Sequence, residues 1–232
     1  MAITGTFETG VNGNAITTAD AGSATAWDAI TAIGATPTYD NAHAYDALAD
    51  KMVLTGSTSE ATISWNTAFG TQTDHYGRVY LWLDAAPSGG SIRLVHGTTG
   101  GSLAWRLLIT PGRLIALIDS TGSTMGQMTS TVSTGQFVRI EWHVIHSTSV
   151  GQAEAKLFNN ADSTTATEVL TSAASFNTLA NSNAIKFGHG SGEATTATFW
   201  LDNIVAGATS YPGSAINQPP RSQYLDYEFS HP

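Results

Sequence analysis

With 232 residues, 41% of them hydrophobic and only 12% charged, the chain can bury a sizeable core and is no disordered low-complexity polymer. Its formal net charge is −9, and its 9 Lys and Arg never form a run, which speaks against a nucleic-acid partner or a membrane surface. No apolar stretch is long enough for membrane insertion, and with 0 cysteines disulfide staples are excluded.

Gly, Ser and Thr are abundant, helix formers are sparse, and the apolar residues lean to β-branched and aromatic types, so strands are expected throughout. Residues 2–8 read as a first strand, closed by Thr9, Gly10 and the loop VNGN. Residues 15–39 are rich in Ala and Thr, with Trp27 and Ile30 anchoring short strands. Residues 43–48 fit either a short helix or a strand, and 51–54 read as extended. Ile63 and Trp65 alternate with Thr62 and Ser64, which separates two faces. Residues 67–75 read as a loop.

GRVYLWLD, residues 77–84, is a strong strand. Val79, Leu81 and Leu83 point one way, and Arg78, Tyr80 and Trp82 point the other. Residues 92–96, 103–109 and 113–118 follow as an antiparallel run between turns, and 125–128 make a short strand.

The most legible stretch is 136–158, QFVRIEWHVIHSTSVGQAEAKLF. Val138, Ile140, Trp142 and Val144 alternate with Arg139, Glu141 and His143, and Ala153, Ala155 and Leu157 alternate with Glu154 and Lys156. The two runs read as an antiparallel hairpin around the loop 147–150. Keeping both apolar sets on one side puts Val144 opposite Ala153 and Trp142 opposite Ala155. Glu141 then faces Lys156 and His143 faces Glu154, two favourable cross-strand pairs.

Beyond the hairpin, residues 168–170, 184–188 and 197–205 read as strands and 173–183 as irregular. This many strands without intervening helices imply two packed antiparallel sheets over residues 1–208. Residues 209–232 contain proline breaks and no sustained period, and read as an extended C-terminal arm. Tyr211, Tyr224, Leu225, Tyr227 and Phe229 would be the anchors of that arm if it docks. Asp226 and Glu228 share a face only in an extended, solvated arm.

The order FETG, GRVYLWL, QFVRIEWHV…GQAEAKLF and FWLDNIVAG, across residues 3–208, resembles the concanavalin A-like, laminin-G-like jelly rolls, in the form found in actinobacterial phages and their hosts. The resemblance implies a jelly-roll sandwich with one concave sheet. It also implies the company of lectins, carbohydrate-binding modules, glycoside hydrolases and virion surface proteins. The glucanase branch of that family carries Glu-x-Asp-x-x-Glu on one strand. Glu141 is followed by Trp142 and His143 instead, so that spacing is missing.

If the strands at 78–82 and 139–143 are neighbours, Arg78, Tyr80, Trp82, Arg139, Glu141 and His143 share an outward face. Aromatic rings there would stack on sugars and the flanking polar groups would hold hydroxyls. The alternative is that the arm, a loop or another subunit covers them. The resemblance further implies a structural calcium ion held by Glu8 and Asp202, although Asn203 stands where a second aspartate often follows. His143 and His146 fall on opposite faces of one strand, so a shared zinc site is not expected.

These readings lead to an expected non-catalytic bacteriophage virion surface protein, a head decoration or a tail protein. It would dock to other virion proteins or to copies of itself and meet host-surface polysaccharide. A carbohydrate-binding module of a secreted bacterial protein is the alternative, and a glycan hydrolase or lyase comes third. MAITGTFETG lacks the charged start and apolar core of a signal peptide, which favours assembly in a host cytoplasm over secretion.

Overall fold

The computed structural model describes residues 2–18, 25–56, 59–190, 192 and 194–215. The first strands are Ile3–Gly5 (β1), Ala29–Ile33 (β2), Thr38–Asp40 (β3), Ala49–Thr55 (β4) and Glu60–Trp65 (β5). Asp74–Leu83 (β6), Ile92–Thr99 (β7), Ser102–Ile109 (β8), Leu114–Asp119 (β9) and Thr124–Thr131 (β10) follow. Phe137–Ile145 (β11), Gln152–Phe158 (β12), Glu168–Thr171 (β13), Ala184–His189 (β14) and Thr196–Ala208 (β15) complete the chain order. No α-helix occurs among the described residues, and none could cross a membrane.

Two antiparallel sheets stack as a sandwich. The 8-stranded sheet runs β13-β12-β11-β6-β15-β4-β3, with β1 paired to β15, and the 7-stranded sheet runs β10-β9-β8-β7-β14-β5-β2. Neighbours such as β6, β11 and β15 come from distant parts of the chain, as in jelly-roll architectures. Large side chains from both inner faces meet between the layers. Trp65, Trp105 and Trp142 are fully buried, and Trp142 lies 6.3 Å from Trp105 and 6.0 Å from Phe187 between ring centroids. Burying apolar side chains of this size contributes about 1.5–3 kcal/mol each.

The hairpin forms in the expected register, with Val144 opposite Ala153, Trp142 opposite Ala155, Glu141 opposite Lys156 and His143 opposite Glu154. Two local expectations are corrected. β6 starts at Asp74, inside the stretch read as a loop, because His75 is buried on the core face opposite Val144. Gly77 hides that continuity in the sequence. A Cβ there would lie 2.1 Å from Trp142 Cζ2, so the indole occupies the space of the missing side chain. Residues 43–48 are neither helix nor strand. The amides of Tyr45 and Ala47 are taken by the carboxylates of Asp202 and Glu8, which hold the segment as an irregular loop over the larger sheet.

Candidate functional site

The strands at 78–82 and 139–143 are indeed neighbours. On the outer face of the larger sheet Phe137 pairs with Trp82, Arg139 with Tyr80, Glu141 with Arg78 and His143 with Tyr76. Their side chains line one surface because register partners in an antiparallel pair share a face.

Much of that surface is roofed by the chain itself. In the loop 41–47, His43 stacks on Trp82 with centroids 4.2 Å apart, and Tyr45 lies 4.5 Å from Tyr80. Residues 211–215 cross the same face. Arg78 Nη1 donates to the Gly213 carbonyl at 2.7 Å, and the amide of Ala215 donates to the Tyr80 hydroxyl at 2.8 Å. Tyr80 is fully buried, so the aromatic row offers no open platform for a sugar ring in this conformation. Tyr211, the first expected arm anchor, docks on its own domain. Its hydroxyl donates to Glu154, Lys156 Nζ sits 3.5 Å from its ring centroid, and Tyr76 meets it edge-on at 4.9 Å. Tyr224, Leu225, Asp226, Tyr227, Glu228 and Phe229 lie outside the described residues.

The charges pair differently from the cross-strand expectation. Arg139 Nε lies 3.2 Å from Glu141 Oε1, both side chains almost fully buried, while Lys156 pairs with Glu154 at 3.5 Å. His143 turns away from Glu154, stacks on Tyr76 at 3.8 Å and bonds Asp74 at 2.7 Å. The reason is lateral: Glu141 has Arg139 two residues along its own strand and Arg78 across from it, so burial favours these over the half-exposed Lys156. Arg139 is otherwise occupied. Its guanidinium donates to the carbonyls of Ala161 and Ser163 and lies 3.7 Å over the Phe158 ring. It therefore pins the loop after β12.

Between that loop and residues 213–214 a cavity of about 530 Å³ opens onto the same face, with Glu141 and Arg139 at its floor and Lys156, Ser163 and Ser214 on its walls. A second cavity, about 460 Å³, lies on the other side of the loop beside Tyr45, Phe137 and Asp162. Burial raises the Glu141 carboxyl above its ordinary range, and Arg139, Arg78 and Lys156 partly offset the rise. Glu141 Oε1 is itself buried and faces Arg139 Nε, so the carboxylate is held in the ion pair at the foot of the cavity. Sequence reasoning missed Lys156, Ser163 and Ser214 as wall residues, because the loop fold and the return of the chain after β15 bring them together.

Glu8 and Asp202 do share one corner, together with Asp46. Asp202 is fully buried and accepts the amides of Tyr45 at 2.9 Å and Asn203 at 2.7 Å, while Asn203 takes a left-handed φ of 45° and donates to Asp46 at 3.2 Å. Burial pushes Asp202 up to about 7, with Glu8 and Asp46 adding to the rise. Among the described residues no group of three or more His, Asp or Glu side chains converges as metal ligands need to.

No family model matches the chain, and no curated protein matches it in sequence. Among solved structures, the endo-β-1,4-glucuronan lyase of the fungus Trichoderma reesei aligns with a TM-score of 0.59 at 13% identity, covering 82% of this chain and 95% of that one. Cellulose-induced protein Cip1 gives 0.59 at 17% identity, covering 81% and 93%. A botulinum neurotoxin type C structure, described by its interaction with two ganglioside molecules, gives 0.50 at 8% identity, covering 78% of this chain and 43% of that one. At such identities the likeness concerns the fold. It also corrects one expectation: the sequence was read as non-catalytic, yet a lyase carries this sandwich over nearly its whole length. A missing Glu-x-Asp-x-x-Glu speaks only against glucanase chemistry. The chain is a two-sheet antiparallel sandwich whose structural neighbours are jelly rolls of the concanavalin-like kind.

Proposed function

We propose that this chain handles carbohydrate, taking a polysaccharide segment into the cavity over the outer face of its larger sheet. One observation carries the reading. A buried ion pair, Arg139 with Glu141, lies at the floor of an open cavity of about 530 Å³, with Lys156 beside it. Adjacent sugar hydroxyls both donate and accept, so a carboxylate and an ammonium side by side suit them, and hydrogen bonds to charged groups are the stronger kind. The volume lies within the usual range for small-ligand pockets. Structural neighbours described as a glucuronan lyase and as a ganglioside-interacting toxin support the substrate class.

A polysaccharide array tests the reading, followed by product analysis of every hit for chain cleavage, which decides whether turnover accompanies binding. Lys156→Ala is expected to weaken a hit by about tenfold, the loss of one charged hydrogen bond. An array without a hit, or a hit indifferent to both Lys156→Ala and Glu141→Gln, would overturn it.

The narrower expectation, a bacteriophage virion protein docked to particle partners, rests on the sequence resemblance. Detecting the chain in purified particles would support it, and finding it only in culture supernatant of uninfected cells would sink it.

A further inference from the structure

The opposite side of the molecule carries a cationic row that the linear sequence conceals. On the outer face of the smaller sheet Lys186 pairs with His96, His96 with Arg106, and Arg106 with Ile118, one row across β14, β7, β8 and β9. At the usual strand spacing the Lys186 and Arg106 backbones stand about 10 Å apart, with His96 between them. Arg93 leans over the histidine from the side: a Cβ on Gly190 would meet Arg93 Nη1 and His96 Cε1 at 3.1 Å each.

The pairing of the charges is what makes this row unusual. Lys51, Arg139 and Lys156 have carboxylate partners, and Arg78 and Arg113 donate to carbonyls. Among the described residues, neither Arg106 nor Lys186 has an ion pair or a side-chain hydrogen bond. Two inward polar atoms of the row, His96 Nδ1 and Arg106 Nε, are buried without a partner, and His96 is only 4% exposed. In a chain of net charge −9, Arg106 and Lys186, unpaired among the described residues, repel one another across His96, and an oxyanion relieves that repulsion. Arg93, Lys186, Arg106 and His189 each disfavour a positive charge on His96, and burial does so most of all.

We propose that this row is a second carbohydrate site, specific for an anionic substituent, a carboxylate or a sulfate ester, bridged between Arg106 and Lys186 over His96. A guanidinium binds either oxyanion with paired N–H donors, and the ammonium adds a point charge. The site lies on the other face of the sandwich from the Glu141 cavity, so each can stand without the other.

Isothermal titration with sodium sulfate, a uronic-acid oligosaccharide, a sulfated oligosaccharide and a neutral one of equal length tests the assignment. The parent, Lys186→Gln, the double variant Arg106→Gln/Lys186→Gln, and Lys156→Ala are compared, with circular dichroism confirming the fold of each. The anionic sugars are expected to bind the parent, to lose at least about tenfold in the double variant and less in Lys186→Gln, and to weaken with salt. Whichever of the uronic and sulfated sugars binds more tightly identifies the substituent, and free sulfate should compete with it. Loss in the double variant but not in Lys156→Ala would uphold this site even if the cavity reading fails. Equal anionic binding by parent and double variant, equal binding of the neutral sugar, or an oligonucleotide bound as tightly would overturn it.

Discussion

The guanidinium of Arg78 reaches from the middle of the larger sheet to the carbonyl of Gly213, 2.7 Å away. Its Nε holds a second carbonyl, that of Asn203, at 3.2 Å. One side chain thus ties β6 both to the bulged part of β15 and to the residues that follow it. This is why the outer face is roofed instead of bare.

Arg78→Met keeps the aliphatic stem and removes both donors, leaving two carbonyls without them. A loss of about 2–3 kcal/mol in urea unfolding is expected for hydrogen bonds to a charged group. Residues 211–215 should also become readily cleaved by protease. Unchanged cleavage would show that Tyr211 and Tyr80 suffice to hold them.

Gly77 and Trp142 are expected to be energetically coupled. Gly77→Ala forces a methyl into the indole and toward the Val205 carbonyl, 2.7 Å from the added Cβ. Overpacking of this kind costs about 1–3 kcal/mol. Combining it with Trp142→Leu should cost less than the sum of the single changes, because the ring that clashes is gone. A double-mutant cycle by denaturant unfolding checks this, and strict additivity would contradict the contact.

His75 and Asp202 should shape the pH dependence of stability in opposite senses. Burial, aided by His146 and His143, pushes His75 from 6.5 down to about 3. Its contribution is complete above pH 6.5 and is lost as pH falls toward 3. Burial pushes Asp202 from 3.8 up to about 7, so its contribution is complete below pH 3.8 and is lost as pH rises toward 7. Each slope is about 1.4 kcal/mol per pH unit inside its window. Relative to the parent, His75→Phe should therefore gain stability as pH falls from 6 to 4 (about two units), and Asp202→Asn should gain as pH rises through the same interval. Parallel curves for parent and variants would remove both effects.

Asp50 is completely buried, and neither carboxyl oxygen has a partner. Burial alone raises its pKa well above the ordinary value, so ionisation opposes folding increasingly as pH rises from 3.8. Asp50→Asn should match the parent below pH 3.8 and exceed it increasingly in thermal stability as pH rises toward alkaline values. A variant less stable across the whole range would show that the carboxyl has a role beyond its charge.

Alternation along β6, β11 and β12 made the hairpin register and the buried face readable in advance, because one-residue slips turn Trp142 outward. The adjacency of Arg78 and Tyr80 to Glu141 and Arg139 was likewise readable as a condition. What lay beyond reach was the roof. His43 and Tyr45 sit in a stretch with no period, and Tyr211 opens an arm whose proline breaks and missing period name no destination. The reading of Glu141 with Lys156 as partners assumed that facing residues pair, whereas burial beside Arg139 decided otherwise.

Local pattern alone therefore determined that this chain makes two β layers and which side chains fill the space between them, since period and polarity are properties of neighbours in sequence. Only the tertiary structure decided which outward residues are covered, that Glu141 pairs with Arg139 at the foot of a cavity, and that Arg106 and Lys186 share a row. Those outcomes depend on strands brought together from distant parts of the chain, where desolvation and charge are settled by neighbours in space.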